Sequence, residues 1–472
     1  MNTTYTLSTK EKRRDFWKRW VKLLITIAAQ NIIVYGVNLL DNIMIGKLGA
    51  AAELAISGVF IVNQIQFLLQ SICGSIADGT VVICSRFWGE KNIDGIKKAA
   101  ACSMQFGLIV SGVMMLAALI FPTQVLGLLT DKPHVITEAQ KYLIIVAFTY
   151  LFFAATQVLL GVLRSVETAF IGFINSCSAL VINLSLNYIL IFGHFGAPAL
   201  GIRGAAIATL ISRIVEFLIV AVYIAFFDKK LKLKFTDFIR TDRDITKKFY
   251  KVSLPVVFSG ASWGVAMSIQ TAILGRLTDP VISANSIATT VFQIMSVFVY
   301  GSATASSVMI GKTIGEGKTE SGGTFTDESF AELKKEIKHR VIRMQIIYLL
   351  MGAATGLAIF LARDFIIGFY DITEETKALA AQFMNVLSVT VIGTAYQMTC
   401  LTGIVRGGGD TNFVFYNDII FMWGIVLPCS FIAAFVLKLD PVWIFIVLKS
   451  DQIIKCAVAA VKVNRYRWIK KI

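Results

Sequence analysis

The sequence predicts an all-α polytopic membrane protein, with twelve transmembrane helices in two six-helix lobes related by a parallel pseudo-twofold repeat. Three observations carry this. The chain is 56% hydrophobic and only 16% charged, and its apolar residues fall into runs of about twenty, enough to cross a bilayer as a helix. Lys and Arg concentrate in alternate inter-run segments. Motifs of the first half also recur in the second.

The runs follow in order. A polar stretch up to Lys22 has no short apolar core with a cleavage site, so no removable signal peptide is expected. Six spans lie near 21–45, 57–84, 99–121, 137–162, 169–192 and 204–227. The first ends in NLLDNIMIGKLG, the second precedes RFWGEKN, and GIRGAAIAT opens the sixth. Six more lie near 252–275, 281–310, 342–362, 378–404, 412–437 and 441–461, with GIVRGGGDTNF between the tenth and eleventh. The domain division is therefore an N-lobe over 1–227, a basic cytoplasmic linker over 228–251 and a C-lobe over 252–472. The polar stretch 315–335 is expected to be a flexible linker.

With both ends placed in the cytoplasm, cytoplasmic segments hold 34 Lys and Arg against 8 on the other side. Three more, Arg213, Lys449 and Lys455, lie inside helices. This positive-inside bias fixes an even number of spans. It also explains the net charge of +15 as topology and excludes a nucleic-acid partner. The seven Cys lie within apolar runs without Cys-x-x-Cys spacing, and the three His are scattered, so neither a disulfide framework nor a metal cluster is expected.

The repeat contrasts two copies of one helix. Around Asp41, NLLDNIMIGKLG recurs 229 positions later as MSIQTAILGRLT, with Gly46 on Gly275 and Leu48 on Leu277. Asp41 falls on Gln270. A framework kept twice, with an acid in one copy, points to function, because an intramembrane acid is costly. RFWGE (86–90) likewise matches KTIGE (312–316), and Gly161, Arg164, Phe173 and Asn175 fall on Gly403, Arg406, Phe415 and Asn417. Six spans per half give both copies the same orientation, as in transporters with a central site between rocking halves.

Helical rise places Asp41 about 28 Å from the cytoplasmic surface, with Asn183 and Asn187 about 24 and 30 Å up and Thr209 at a similar depth. One carboxylate with amide and hydroxyl oxygens could ligate Na+, or the desolvated acid could carry a proton. Deeper lie Asp78 and Asp418, about 12 Å from the inner surface. Asp451 and Lys455 are spaced i, i+4 and Arg213 and Glu216 i, i+3, spacings that favour self-paired charges. Asp418 has Ser176 in its place in the first half. Gln270, Lys449 and Asp451 join Asp78 and Asp418 as candidates for the substrate cavity or a second-lobe coupling site. Five acids against three bases in the helix interiors predict a net negative cavity and a cationic passenger. Met44, Met267, Met295, Met309, Met398 and Met422 fit helix packing better than a binding stripe.

Together these motifs resemble the multidrug and toxic compound extrusion (MATE) transporters of bacterial type, over essentially the whole chain. The resemblance implies export of organic cations or drugs in exchange for H+ or Na+, with no other cofactor and no enzymatic activity. It also implies that Asp41 is the acid of the cation site, with Asn183 and Thr209 as partners. Three departures stand out. Asn187 stands where many relatives have a second acid, and Thr26 where many have Pro, although the second half keeps Pro255. Asp418 and KSDQIIK (449–455) add charges outside the common pattern and could shift coupling into the C-lobe.

The expected protein is a monomeric antiporter, multi-pass in the cytoplasmic membrane with both termini cytoplasmic. Its partners are small organic cations and membrane lipid. The alternative is a flippase for a lipid-linked sugar, which would need a net positive cavity. A membrane enzyme would need a nucleophile–base or metal set at one depth, and none is evident. The sequence leaves substrate and coupling ion open.

Overall fold

The computed structural model describes residues 9–46, 52–130, 132–239, 241–370 and 372–470. Twelve span-length units follow one another. They begin with α1 (Thr9–Gly46), α2 (Ala52–Gly89) and α3 (Ile93–Ile120). Asn92 caps α3 by accepting a hydrogen bond from the Gly95 N–H. α4 is a pair, Pro133–Val146 and Thr149–Ser165, bent by 50°. α5 (Phe170–Phe192) stops at Gly193, whose left-handed φ of 76° suits a residue without a Cβ. α6 (Ile202–Val222) ends the first set.

The second set starts with α7 (Arg243–Gly275), which holds Pro255 inside it, and α8, the pair Asp279–Met295 and Val297–Glu320, bent by 46°. α9 (Asp327–Ile367) and α10 (Glu374–Met398, continuing to Val405) follow. α11 (Thr411–Ile419) runs on through wider turns to Val436, and α12 is Pro441–Lys449 with Asp451–Asn464. Among the described residues, eight helices are long and apolar enough to span a membrane singly, and the two bent pairs raise this to ten. α1 and α12 complete the twelve.

The 315–335 expectation is corrected. α8 runs to Glu320 and α9 starts at Asp327, so only residues 321–326 lie between helices. The Thr326 hydroxyl caps α9 by accepting from the Ser329 N–H at 3.2 Å, with Asp327 and Glu328 in the favourable first turn. Polar composition there marks helix projecting beyond the apolar layer, as it does at the start of α1. The segment between α6 and α7 is also anchored. Leu231 and Leu233 are buried, and Lys230 Nζ donates to the Val166 carbonyl at 2.6 Å.

Both ends of the described chain lie on one face, here called the terminal face. Lys12 reaches Glu320, and the Arg86 guanidinium donates to the carbonyls of Gly408 and Lys470. The first half of α1 packs into the second set, where Phe16, Trp20 and Leu23 join Val308, Met309 and Tyr348 in one core. Trp20 Nε1 donates to Ser306 Oγ at 2.9 Å.

The sequence repeat becomes a symmetric crossing. Gly89 of RFWGE and Gly315 of KTIGE face each other where α2 crosses α8. A Cβ on Gly89 would collide with the Lys312 carbonyl oxygen, and one on Gly315 with that of Arg86. Only glycine lets two backbones approach so closely, a common device where membrane helices cross. The second repeat behaves alike: a Cβ on Gly161 would meet the Ala77 carbonyl at 3.0 Å, and one on Gly403 that of Ala303 at 2.9 Å.

Candidate functional site

α2 joins the two sets, and its two halves do different work. Its terminal-face half is pressed onto the second set at the Gly89–Gly315 crossing and through Ser71 Oγ, which donates to the Gly260 carbonyl at 2.6 Å. Its other half borders a cavity of about 420 Å³ between the sets. Asn63, Gln66 and Gln70 line it at spacings of three and four, which puts their amides on one helical face. Gln64 and, from α8, Gln293 add two more.

Three of the four predicted coupling residues meet here. Asn183 and Asn187 on α5 are 5% and 1% exposed, and Asn187 Nδ2 donates to Asn183 Oδ1 at 3.0 Å. Thr209 on α6 lines the same cavity and donates to the Ala205 carbonyl at 2.9 Å. Asp41 is on α1, but its side chain lies outside the described residues.

The expected net negative lining is not seen among the described residues. The charged side chains there are Arg213 and Glu216, and they neutralise each other through an Nη1–Oε2 contact of 2.7 Å. Of the acids in that count, Asp78, Asp418 and Asp451 are not in this lining, and Asp41 lies outside the described side chains. Of the six methionines considered, Met267 lines the cavity, while Met309 and Met422 are buried in packing cores.

The other candidates lie elsewhere. Asp78 is not in the cavity lining; it sits 3.4 Å from Arg406 of the second set, towards the terminal face. Gln270 is 5% exposed and turned into the second set, where its Nε2 lies 3.3 Å from Met422 Sδ and Lys449 Nζ lies 3.5 Å from its Oε1. Asp418 and Asp451 share Lys455, at 3.2 and 3.3 Å. Ser259 donates to Asp418 at 2.6 Å, and Gln452 links Asp451 to Thr394 and Gln397. This connected buried network ties α7, α10, α11 and α12 together.

The terminal face is closed by charges that cross between sets. Glu167, between α4 and α5, accepts from Lys312 of α8 at 2.6 Å, from Arg19 at 3.0 Å and from Trp88 Nε1 at 3.1 Å. Its φ of 60° lies in the left-handed region, an unfavourable conformation that these contacts help to hold. Glu90 pairs with Lys318 at 3.0 Å, and Asp78–Arg406 adds a third bridge. Burial opposes charge on Glu167, but Lys312 and then Arg19 outweigh it and keep its carboxyl below the usual carboxylate range.

The sign of that shift gives a test. A depressed carboxylate pKa means the pair's contribution is present above the ordinary value and lost only as pH falls through the lower folded one. The Glu167 bridge is therefore expected to persist from about pH 8 down to about pH 5. Spin-label distances across the terminal face should stay constant over that range. An opening centred near neutral pH would contradict the assignment.

A family model described as MatE matches residues 26–189 and 331–456. The chain belongs to the MatE family. Among curated relatives, the probable multidrug resistance protein YoeA of Bacillus subtilis is 26% identical, covering 92% of this chain and 91% of its own. Multidrug resistance protein MdtK of Yersinia pseudotuberculosis is 24% identical over 68% of this chain and 67% of its own. A solved outward-facing MATE family transporter superposes with a TM-score of 0.79 at 19% identity, covering 95% of this chain and 96% of that one.

Sequence reasoning about this MatE chain missed the α2 amides and Glu167, and it read Arg213 and Glu216 as structural. The amides had a signal: polar residues spaced three and four apart within an apolar span. Glu167 had none, since its partners are contributed by α1, α2 and α8.

Proposed function

We propose that this chain is a secondary active antiporter that exports organic cations or drugs through the central cavity in exchange for H+ or Na+. The observation that carries this is a cavity lined from both sets and shut at one face by ion pairs between them. Binding is then reachable from one side, and moving the sets reverses the access.

In this account the terminal face is cytoplasmic, as the Lys and Arg distribution favours. The chain acts as a monomer in the cell membrane, with residues 1–227 and 252–472 as rocking lobes and 228–251 as their linker. Asp41, with Asn183, Asn187 and Thr209, takes the coupling ion from outside. The ion can drive release only through unequal affinity for the two states, so these oxygens must change partners or hydration as the lobes move. A carrier of pyrophosphate-linked lipids is disfavoured, since the described lining offers a single base, offset by Glu216, and so no net positive charge for a multiply charged pyrophosphate.

The test is efflux of a fluorescent organic cation from proteoliposomes under an imposed Na+ or H+ gradient. Wild type should respond to one gradient, and Asp41→Asn should lose at least tenfold of the gradient-driven rate, the factor expected when about 1.4 kcal/mol of coupling is removed. Unchanged driven transport in that variant would move coupling to the Asp418–Lys455–Asp451 network.

A further inference from the structure

The Arg213–Glu216 pair has a geometry that pairing alone does not require. The two residues are one turn apart on α6 and both face the central cavity. The carboxylate is the hidden partner, 9% exposed, and the guanidinium the open one, at 25%. Arg213 gives Nη1 to Glu216 and lays its guanidinium over the Phe153 ring at 5.0 Å. A guanidinium carries five N–H donors in a planar fork, so most of its donors remain for a ligand. The stacked ring and the Glu216 contact hold that fork in one orientation.

Around it the described lining is neutral: amides on α2, α5 and α8, hydroxyls on α5, α6, α7 and α8, and apolar surface from Phe60 and Phe67. No other charged side chain faces the pair among the described lining residues. The strongest electrostatic feature offered to a guest from these residues is thus a fixed, partly open cation. A planar carboxylate is the group that matches it, through two parallel charge-assisted hydrogen bonds.

We propose that Arg213 is a specificity-determining residue that recognises a carboxylate, so that the cavity selects amphipathic zwitterions over cations lacking an acid group. This rests on the export function proposed above and adds a substrate feature to it. Glu216 positions the fork through this contact and competes with the incoming carboxylate for it.

The test uses a xanthene dye with a free carboxylate and its methyl ester, which differ only in that acid group. Proteoliposomes of wild type, Arg213→Gln, Arg213→Lys, Glu216→Gln and the Arg213→Gln/Glu216→Gln double variant are compared by kcat/KM for each dye. The acid-to-ester ratio is expected to fall at least tenfold in Arg213→Gln, the order expected when a built charge-assisted contact is removed. The double variant, which leaves no unpaired buried carboxylate, should fall equally and guards against misfolding of the single one. Lys should restore the ratio only in part, and Glu216→Gln should lower KM for the acid dye. Equal loss for both dyes in the double variant, or wild type that carries the ester but not the acid, would overturn the proposal. Failure of folded wild type to move either dye would remove the export function, and this inference with it.

Discussion

Gly89→Ala should leave a folded protein whose terminal face no longer closes. The added methyl would meet the Lys312 carbonyl, and Gly315 Cα would lie 3.0 Å from it, both backbone atoms of α8 that cannot swing aside. α2 and α8 must part. Overpacking of this kind costs about 1–3 kcal/mol. The cost falls on the closed state alone, so the ratio of closed to open molecules should drop by about five- to 160-fold. The ion pairs Glu167–Lys312 and Glu90–Lys318 lie on the same seam and would lengthen together. Maleimide labelling of a cysteine introduced beside Gly315 reads this directly. Labelling as slow as in the unsubstituted background would show that the crossing is not a closure point.

Lys455→Met should be the most destabilising substitution in the second set. Lys455 is 6% exposed and bridges Asp451, 1% exposed, to Asp418. Its loss leaves the Asp451 and Asp418 carboxylates without the counter-charge they share. Breaking a buried pair by removing one partner costs about 3–5 kcal/mol. Thermal unfolding in detergent should show a large loss that Asp451→Asn in the same chain partly restores. A Lys455→Met protein as stable as wild type would mean that the network is hydrated and its charges independent.

How much of this was legible beforehand depends on whether the partner lay on the same helix. Asp451–Lys455 and Arg213–Glu216 could be read because both members sit within one turn, where spacing alone brings side chains together. The convergence of Asn183, Asn187 and Thr209 followed from helical rise, which fixes depth. Rotation about each helix axis is set by packing and was not available. Gln270 therefore looked like the second-half counterpart of a cavity residue, yet it turns towards Met422 and Lys449. Asp78 likewise entered a charge count for a cavity that it does not line. The match of RFWGE to KTIGE was visible as a repeat. That its two glycines touch each other needed the pseudo-twofold axis to pass between them.

The central claim is that closure alternates between the two faces of one cavity. Spin-label pairs, one across the terminal face near Glu167 and Lys312 and one across the opposite mouth near Phe60 and Met267, test it most directly in lipid nanodiscs. Changing the coupling ion and adding an exported cation should move the two distances in opposite senses, one face widening as the other narrows. Distances that stay fixed, or that widen together, in protein that still transports would contradict it.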